Sequence, residues 1–189
     1  MIQHFRVVDD RFVAGFSVDG DRVIQAAPIL HRWIGRSLQD LQRRYPNCRR
    51  LVAVQTAHVS HPEGIDVSRM TGDSVFAPSW TILRPALDLR KQGRETAETW
   101  AAYEAAYLAE MATSRARYPQ RWHGLVDASE IVLKCYCVAE HLPRCHRIVL
   151  AKLLRELSER DVFGAVDVCY LGAVRASKPA QPRQALFSF

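Results

Sequence analysis

The chain has 189 residues, of which 48% are hydrophobic and 24% are charged. These are ordinary values for a globular protein, and the length suffices for one domain with a substantial core plus a small additional unit. The sequence contains no run of about 18 apolar residues, which excludes a membrane-spanning helix, and its first residues do not resemble a secretory signal. We therefore expect a cytoplasmic protein without a membrane partner.

The charge and the cysteines narrow the class of partner only slightly. A net charge of +6 is compatible with nucleic acid, a nucleotide or another anionic small molecule, but many soluble proteins share it. The five cysteines are odd in number and scattered along the chain, so we expect reduced thiols rather than a disulfide framework. They are Cys48, Cys135, Cys137, Cys145 and Cys169.

The N-terminal part of the sequence predicts a small ββα unit. Residues 5–26 read as a β-hairpin whose turn is Asp19-Gly20, because a tight hairpin turn favours glycine. Residues 28–45 have apolar residues at helical spacing and begin with a proline. We expect residues 1–48 to form an appendage whose basic helix face is either a solvated surface or a nucleic-acid contact.

The rest of the chain predicts an α/β domain over residues 49–174, followed by a tail over residues 175–189. Short apolar β-type runs alternate with longer segments of helical periodicity, which is typical of a three-layer domain with a mainly parallel central sheet. The predicted strands lie near residues 51–56, 131–135 and 166–173, and the main helices near 96–118 and 148–157.

The junction between the strand at 131–135 and the following helix carries the strongest chemical pattern. Cys145, His146 and Arg147 stand at the start of that helix, where free amide groups and the helix dipole attract an anion. We expect Cys145 to have a lowered pKa and to act as a nucleophile, His146 to move a proton, and Arg147 to bind a phosphate or carboxylate. The alternative is a buried cysteine and a structural arginine.

A metal site is a further interpretation of the same residues. Cys135, Cys137, Cys145 and His146 are ligand types that zinc prefers. However, structural zinc pairs usually have two to four intervening residues, whereas Cys135 and Cys137 have only one. We expect these two residues of a predicted strand to point their thiols to opposite faces of the sheet, and we expect no metal.

The segment after the first main-domain strand is long and polar, which is typical of functional loops at strand ends. We expect its side chains to face the helix that begins near Cys145, with the histidine as an acid or base, the tryptophan as a pocket wall and the others as ligand-binding groups. Each of them also has an ordinary alternative as a turn residue, cap or surface group. These candidates are His58, Asp66, Arg69, Ser79 and Trp80.

Two further candidates come from neighbouring elements. Tyr107 belongs to an aromatic stripe on the helix predicted at 96–118, where a core position is the usual role but the hydroxyl can reach a pocket. Cys137 follows the strand at 131–135 and lies at its carboxyl end. We expect both residues to contact the ligand.

Several short motifs follow one another in a fixed order between residues 51 and 173. They are Asp66, Arg69 and Gly72, then FAPSW at 76–80, then Tyr103, Tyr107, Met111 and Ser114, then Cys135 with Cys137, and finally Cys145, His146 and Arg147. This order resembles the bacterial and phage family called domain of unknown function 488. The AAPIL hairpin-helix at residues 7–38 resembles a small module common in phage and prophage proteins. The resemblance implies a three-layer α/β fold and a phage or prophage origin, and it implies no established reaction.

These patterns lead to one favoured function and two alternatives. We expect a cysteine-dependent enzyme that acts on a nucleotide-like or other phosphate-bearing ligand at the N-terminus of the Cys145 helix. The first alternative is a protein that binds and sequesters a nucleotide without reaction. The second is a nucleic-acid-binding protein that uses the arginines of the N-terminal unit. The sequence identifies neither a cofactor nor an oligomeric state.

Overall fold

The computed structural model describes residues 2–137 and 144–174, so the predicted tail at 175–189 lies outside the described residues. Within these residues the chain forms seven strands, five α-helices and a 3-10 helix. They are β1 (Ile2–Asp9), β2 (Phe12–Asp19), β3 (Arg22–Ala26), the 3-10 helix (Pro28–Trp33), α1 (Leu38–Arg44), β4 (Cys48–His58), β5 (Ile65–Asp66), α2 (Trp80–Lys91), α3 (Ala97–Arg117), α4 (Pro119–Leu125), β6 (Glu130–Cys135), α5 (His146–Glu159) and β7 (Val166–Ala173).

The N-terminal unit begins with three antiparallel strands rather than the single hairpin that the sequence predicts. The predicted turn at Asp19-Gly20 is confirmed, since Gly20 has a φ of +59° between β2 and β3. A second turn joins Asp9 to its pairing partner Phe12. Its two central residues include no glycine, so the sequence gives no strong hairpin signal there.

The prediction of one continuous helix over residues 28–45 is wrong. A 3-10 helix ends at Trp33, and Gly35 adopts a φ of +83°, which interrupts helical geometry. Ser37 then caps α1 by accepting a hydrogen bond from the Asp40 amide at 3.1 Å. The glycine and the capping serine together divide one apolar stripe into two short helices.

All seven strands form one sheet of mixed direction that is organised around the long strand β4. The order is β3-β2-β1-β4-β6-β5, and β7 also pairs with β4. Leu51 pairs with His4 of β1 and with Asp167 of β7, so those two strands lie on opposite edges of β4. Ala53 pairs with β6 and β7, which places β6 on the same edge as β1 but further along β4. β1 is antiparallel to β4, whereas β6 and β7 are parallel to it.

The hydrogen-bonded pairing of β1 with β4 crosses the domain boundary predicted near residue 48. Arg6 of β1 and Arg49 of β4 both donate to the carboxylate of Asp167 on β7, the latter at 2.6 Å. The N-terminal unit therefore extends the main sheet, and the boundary stays a prediction.

The main core lies on one face of the sheet. Strand side chains alternate between the two faces, and the buried ones of β4, β6 and β7 meet α3, α4 and α5 in one cluster. The strand residues in this cluster are Val52, Val54, Ile131, Leu133, Val166 and Val168. The structure thus confirms a mixed α/β fold with a mixed sheet and helices, and the three-layer arrangement stays a prediction. No helix in the described part of the chain is long and apolar enough to cross a membrane.

The central position of α5 makes its apolar face a sensitive point for stability. Leu150 on α5 is completely buried, whereas Leu171 on β7 is 60% exposed. We expect Leu150→Ala to lower the free energy of unfolding by about 2–5 kcal/mol, because it removes buried methyl groups and leaves a cavity. Leu171→Ala is the matched control and should change it by less than about 1 kcal/mol. Equal urea midpoints for the two variants would contradict this description of the core.

Candidate functional site

A cavity of about 170 Å³ lies where α2, α3, the end of β6 and the start of α5 come together. Its wall is mainly apolar and aromatic, and three arginines and three cysteines also contribute to it. The lining residues are Ser68, Arg69, Met70, Trp80, Leu83, Ala86, Leu87, Arg90, Trp100, Tyr103, Cys135, Tyr136, Cys137, Arg144, Cys145 and His146. We call this space the aromatic cavity.

Helix α2 forms one side of the aromatic cavity. Its residues Trp80, Leu83 and Leu87 recur at intervals of three and four, which is the spacing of an apolar helix face. None of the residues of α2 is fully buried, however. The apolar face of α2 therefore faces the cavity, and this is the property expected of a ligand-binding wall.

Three cysteines form a cluster at one end of the cavity. Cys135 is the last residue of β6, Cys137 follows two residues later, and Cys145 precedes α5 as its N-cap residue. Their sulfur atoms all lie within 4.8 Å of one another, and those of Cys135 and Cys137 are 3.6 Å apart. We call these three residues the thiol cluster.

The prediction that Cys135 and Cys137 point to opposite faces of the sheet is therefore wrong. Alternate residues of a strand lie on the same face, so residues 135 and 137 would share a face even if β6 continued. β6 ends at Cys135, Tyr136 lies in a bend, and the Cys137 sulfur lies 3.6 Å from that of Cys135. The directions of the Cys135 and Cys137 side chains therefore do not argue against a shared metal site.

The prediction of a lowered pKa for Cys145 is also wrong. Cys145 is 1% exposed, and its hydrogen bonds with Cys135 and Cys137, together with burial, raise its pKa well above the ordinary value. The pKa of Cys135 is raised to about 11, chiefly by its hydrogen bond with Cys137. The thiol with the lowered pKa is Cys137, because it accepts hydrogen bonds from Cys135 and Cys145 and lies near the positive charge of Arg90.

Arg90 connects the thiol cluster to a short charged network. Its guanidinium donates to the Glu95 carboxylate at 2.7 Å and to the Arg144 carbonyl at 2.9 Å. Arg144 also pairs with Glu95, at 3.5 Å. Burial alone would lower the pKa of Arg90, but Glu95 and the charge of Cys137 outweigh it and raise that pKa. Arg90 is thus a permanent cation beside the Cys137 sulfur.

His146 lines the cavity but is held by the scaffold. It is 5% exposed, and its Nε2 lies 3.0 Å from the carbonyl oxygen of Val67. Burial lowers the pKa of His146, so the ring is neutral near pH 7, donates from Nε2 and keeps Nδ1 as an acceptor. The ring also packs edge-on against Tyr107.

Arg147 does not line the cavity. It is 3% exposed and donates from Nη1 to the carbonyl oxygens of Ala57 and, at 3.2 Å, Cys135. These carbonyls stand at the carboxyl ends of β4 and β6. Arg147 therefore ties the start of α5 to the ends of two strands, which is a different role from the ligand binding that the sequence suggests.

The loop after β4 folds around Asp66. Its carboxylate accepts hydrogen bonds from the Ser68 amide at 2.9 Å and the Thr71 hydroxyl at 2.5 Å, which outweigh burial and lower the pKa of Asp66. Gly72 is required here because a Cβ atom would lie 2.4 Å from the Asp66 carbonyl oxygen. Arg69 lies in this loop and lines the cavity, and its Nε is buried without a hydrogen-bond partner in the structure.

The FAPSW segment is held by α3. Tyr107 donates to the Phe76 carbonyl at 2.6 Å, and Ser114 donates to the Val75 carbonyl at 2.6 Å. Ser79 donates its amide to Glu110 at 2.8 Å and its hydroxyl to the same carboxylate. Ser79 and Tyr107 thus position the start of α2 and do not line the cavity.

The structure does not place His58, the predicted acid or base, at the expected site. It is the last residue of β4, is exposed, and lies 2.9 Å from the Ser60 hydroxyl through Nδ1. It is not among the residues that line the cavity. Of the candidates, the structure brings five to the cavity wall, and Asp66 is not one of them. They are Arg69, Trp80, Cys137, Cys145 and His146.

Three important cavity residues were not among the candidates. Arg90 and Arg144 have no local motif, because their common partner Glu95 is identified only by the fold. Tyr103 is 6% exposed and its hydroxyl has no hydrogen-bond partner in the structure. The signal that could have found Tyr103 is its position one turn before Tyr107 on the aromatic stripe.

The arrangement can support two kinds of chemistry. A thiolate at Cys137 is a nucleophile, and Arg90 keeps its charge balanced. Three sulfur atoms at this separation are also a suitable ligand set for a soft metal ion.

The position of Arg147 leads to a stability prediction. We expect Arg147→Met to lower the free energy of unfolding by about 2–4 kcal/mol, because it removes charge-assisted hydrogen bonds from the buried carbonyls of Ala57 and Cys135. The control is Arg155→Met on the same helix, where the side chain is 51% exposed and the expected change is less than about 1 kcal/mol. Denaturant unfolding of both variants measures the difference, and an unchanged stability of Arg147→Met would exclude the structural role.

The comparisons with known proteins agree with the motifs. The profile of DUF488-N3a, described as the active DUF488-N3 subclade, matches residues 39–158. No curated protein and no solved structure matches the chain. The matched range includes β4, the FAPSW segment, α3, the thiol cluster and α5. The chain therefore belongs to the DUF488 family.

Proposed function

We propose that this protein is a cysteine-dependent enzyme that acts on a small molecule with an aromatic body and an anionic group, such as a nucleotide, bound in the aromatic cavity. The observation that carries the proposal is the meeting of three thiols and a guanidinium at one end of a largely apolar cavity. A cavity of this kind with a few convergent polar groups is the usual form of a small-molecule site.

The cavity wall supports the choice of ligand. Trp80 and Trp100 offer aromatic surfaces for a planar ring, and about 170 Å³ is enough for a ring system of the size of a nucleobase. Arg69 and Arg144 also line the cavity, and the buried Nε of Arg69 has no hydrogen-bond partner in the structure, so these guanidinium groups suit a phosphate or carboxylate. The N-terminus of α5 adds amide groups on the same side.

The roles within the thiol cluster differ from those that the sequence suggests. Cys137 is the nucleophile in this proposal, since it has the lowered pKa and is the least buried of the three. Cys135 and Cys145 donate hydrogen bonds to it, and Arg90 balances its charge. His146 is the proton acceptor, through Nδ1.

The same proposal includes the finer expectations from the sequence. These are a three-layer, Rossmann-like nucleotide-binding fold, a cytoplasmic location, and the phage or prophage origin that the family resemblance implies. A ligand site at the carboxyl ends of the parallel strands β4 and β6 supports the expectation about the fold.

A second candidate function is a protein that binds and sequesters a nucleotide without reacting with it. The observation that favours it is the burial of His146, whose Nε2 already bonds to the Val67 carbonyl. His58, the other predicted acid or base, is outside the cavity wall. Nucleic-acid binding by the N-terminal arginines stays a prediction, and two of them, Arg32 and Arg36, stack on the ring of Trp33.

Incubation with nucleotides distinguishes these functions. The purified chain is mixed with nucleoside mono-, di- and triphosphates, and the mixture is followed by liquid chromatography and mass spectrometry. We expect a product whose rate of formation falls by at least about 100-fold in Cys137→Ser, because the hydroxyl is not ionised at neutral pH. The control Cys169→Ser removes an exposed thiol on β7 outside the cluster and should keep the full rate.

Two other outcomes would contradict the proposed enzymatic function. A product that forms equally fast with Cys137→Ser would exclude the thiolate as the nucleophile. A nucleotide that binds stoichiometrically and is recovered unchanged would instead support the sequestering protein.

A further inference from the structure

We propose that Cys135, Cys137 and Cys145 bind one zinc ion through their three sulfur atoms, with the fourth coordination position open to the aromatic cavity. The inference uses the same thiol cluster as the proposed function but does not require the proposed reaction.

The distances suit this ion. Zinc–sulfur bonds of about 2.3 Å in a tetrahedron place the sulfur atoms about 3.8 Å apart. The sulfur atoms of Cys135 and Cys137 are already 3.6 Å apart, and Cys145 completes a set within 4.8 Å. Side-chain adjustments of about one ångström close the set around an ion, and no backbone rearrangement is needed.

The backbone keeps the three sulfur atoms together without the ion. Cys135 ends β6, and Cys145 caps α5, whose first turn is tied to the Cys135 carbonyl by Arg147 at 3.2 Å. The bend at Tyr136 returns Cys137 to the same place. A site that is preorganised in this way binds a metal with little loss of conformational entropy of the chain.

The charges near the cluster fit a zinc–trithiolate group. One Zn²⁺ and three thiolates carry a net charge of −1. Arg90 lies beside Cys137 and supplies one positive charge, which Glu95 and the Arg144 carbonyl hold in place. The balance favours a metal that takes up all three sulfur atoms as thiolates.

Tyr103 supplies an independent observation that points to a ligand at the fourth position. Its side chain is 94% buried, lines the same cavity as the three cysteines, and has a hydroxyl without a hydrogen-bond partner in the structure. A buried hydroxyl without a partner is unfavourable. A water or ligand atom on the zinc ion would accept the hydrogen bond from Tyr103.

Three protein ligands with one open position are typical of zinc sites that take part in reactions, whereas four protein ligands are typical of structural sites. The open position faces the cavity wall formed by Trp80, Trp100 and Tyr103. The occupant of the cavity would therefore contact the zinc ion directly. A zinc-bound thiolate remains deprotonated, so the site is also compatible with a nucleophilic Cys137.

Zinc titration of the full chain tests the inference. Metal is removed with a chelator under reducing conditions, and zinc is returned in competition with a chromogenic chelator and counted by native mass spectrometry. We expect one zinc ion per chain, and an affinity that falls at least about 100-fold in Cys135→Ser, Cys137→Ser and Cys145→Ser. Cys169→Ser is the control and should bind zinc as the unchanged chain does.

Cobalt substitution tests the open position. The cobalt-loaded protein should show sulfur-to-metal charge-transfer bands, and added imidazole should change its visible spectrum by entering the fourth position. In Tyr103→Phe we expect the same metal stoichiometry but imidazole binding that is about three to ten times tighter, because the displaced water has lost one hydrogen bond. Circular dichroism of each variant shows that it is folded.

Each contrary result overturns the inference. These results are less than one zinc ion per chain at saturation, an unchanged affinity in Cys137→Ser, or a cobalt spectrum that does not respond to imidazole. A chain that binds no zinc but loses its nucleotide reaction in Cys137→Ser retains the proposed function and loses only this inference. A chain that binds zinc through the three cysteines and leaves nucleotides unchanged retains this inference and loses the proposed function.

Discussion

The buried guanidinium of Arg147 is the interaction on which the site depends. The carbonyls of Ala57 and Cys135 lie near the carboxyl ends of β4 and β6, and the Cys135 carbonyl also accepts a hydrogen bond from the Val59 amide at 3.0 Å. Arg147 donates to both carbonyls from the first turn of α5. Because Cys135 and Cys145 lie next to these hydrogen bonds, the separation between their sulfur atoms is set by a cation that never reaches the cavity.

The opposite side of the cavity depends on α3. Tyr107, Glu110 and Ser114 lie on one face of that helix and bind the segment from Val75 to Ser79. This determines where α2 begins and keeps its apolar face directed at the cavity instead of the core. The chain thus divides its polar residues between two tasks. Some hold the two walls of the cavity, and a smaller number, with Arg90 among them, face its interior.

The sequence was sufficient where local chemistry decides the structure. The turn at Asp19-Gly20 needs a positive φ, and the Cys145 helix begins where the motif places it. It was insufficient where partners are distant in the chain. The carbonyls that bind Arg147 belong to residues 90 and 12 positions away, so neither could be identified as its partner in advance. The shared side of Cys135 and Cys137 follows from the two-residue period of a strand, whereas the approach of Cys145 to them depends on where the fold places the start of α5.

The pairing of β4 has a consequence for any shortened form of the protein. One edge of β4 is shared by two strands. β1 is paired with residues Cys48–Leu51 on that edge, and β6 is paired with the same edge only from Ala53 onward. A chain that lacks β1 would present bare amide and carbonyl groups along that edge, beside the newly uncovered apolar side chain of Cys48. Such an edge recruits strands from other molecules. The N-terminal strands therefore protect the sheet from self-association, whatever else they contact.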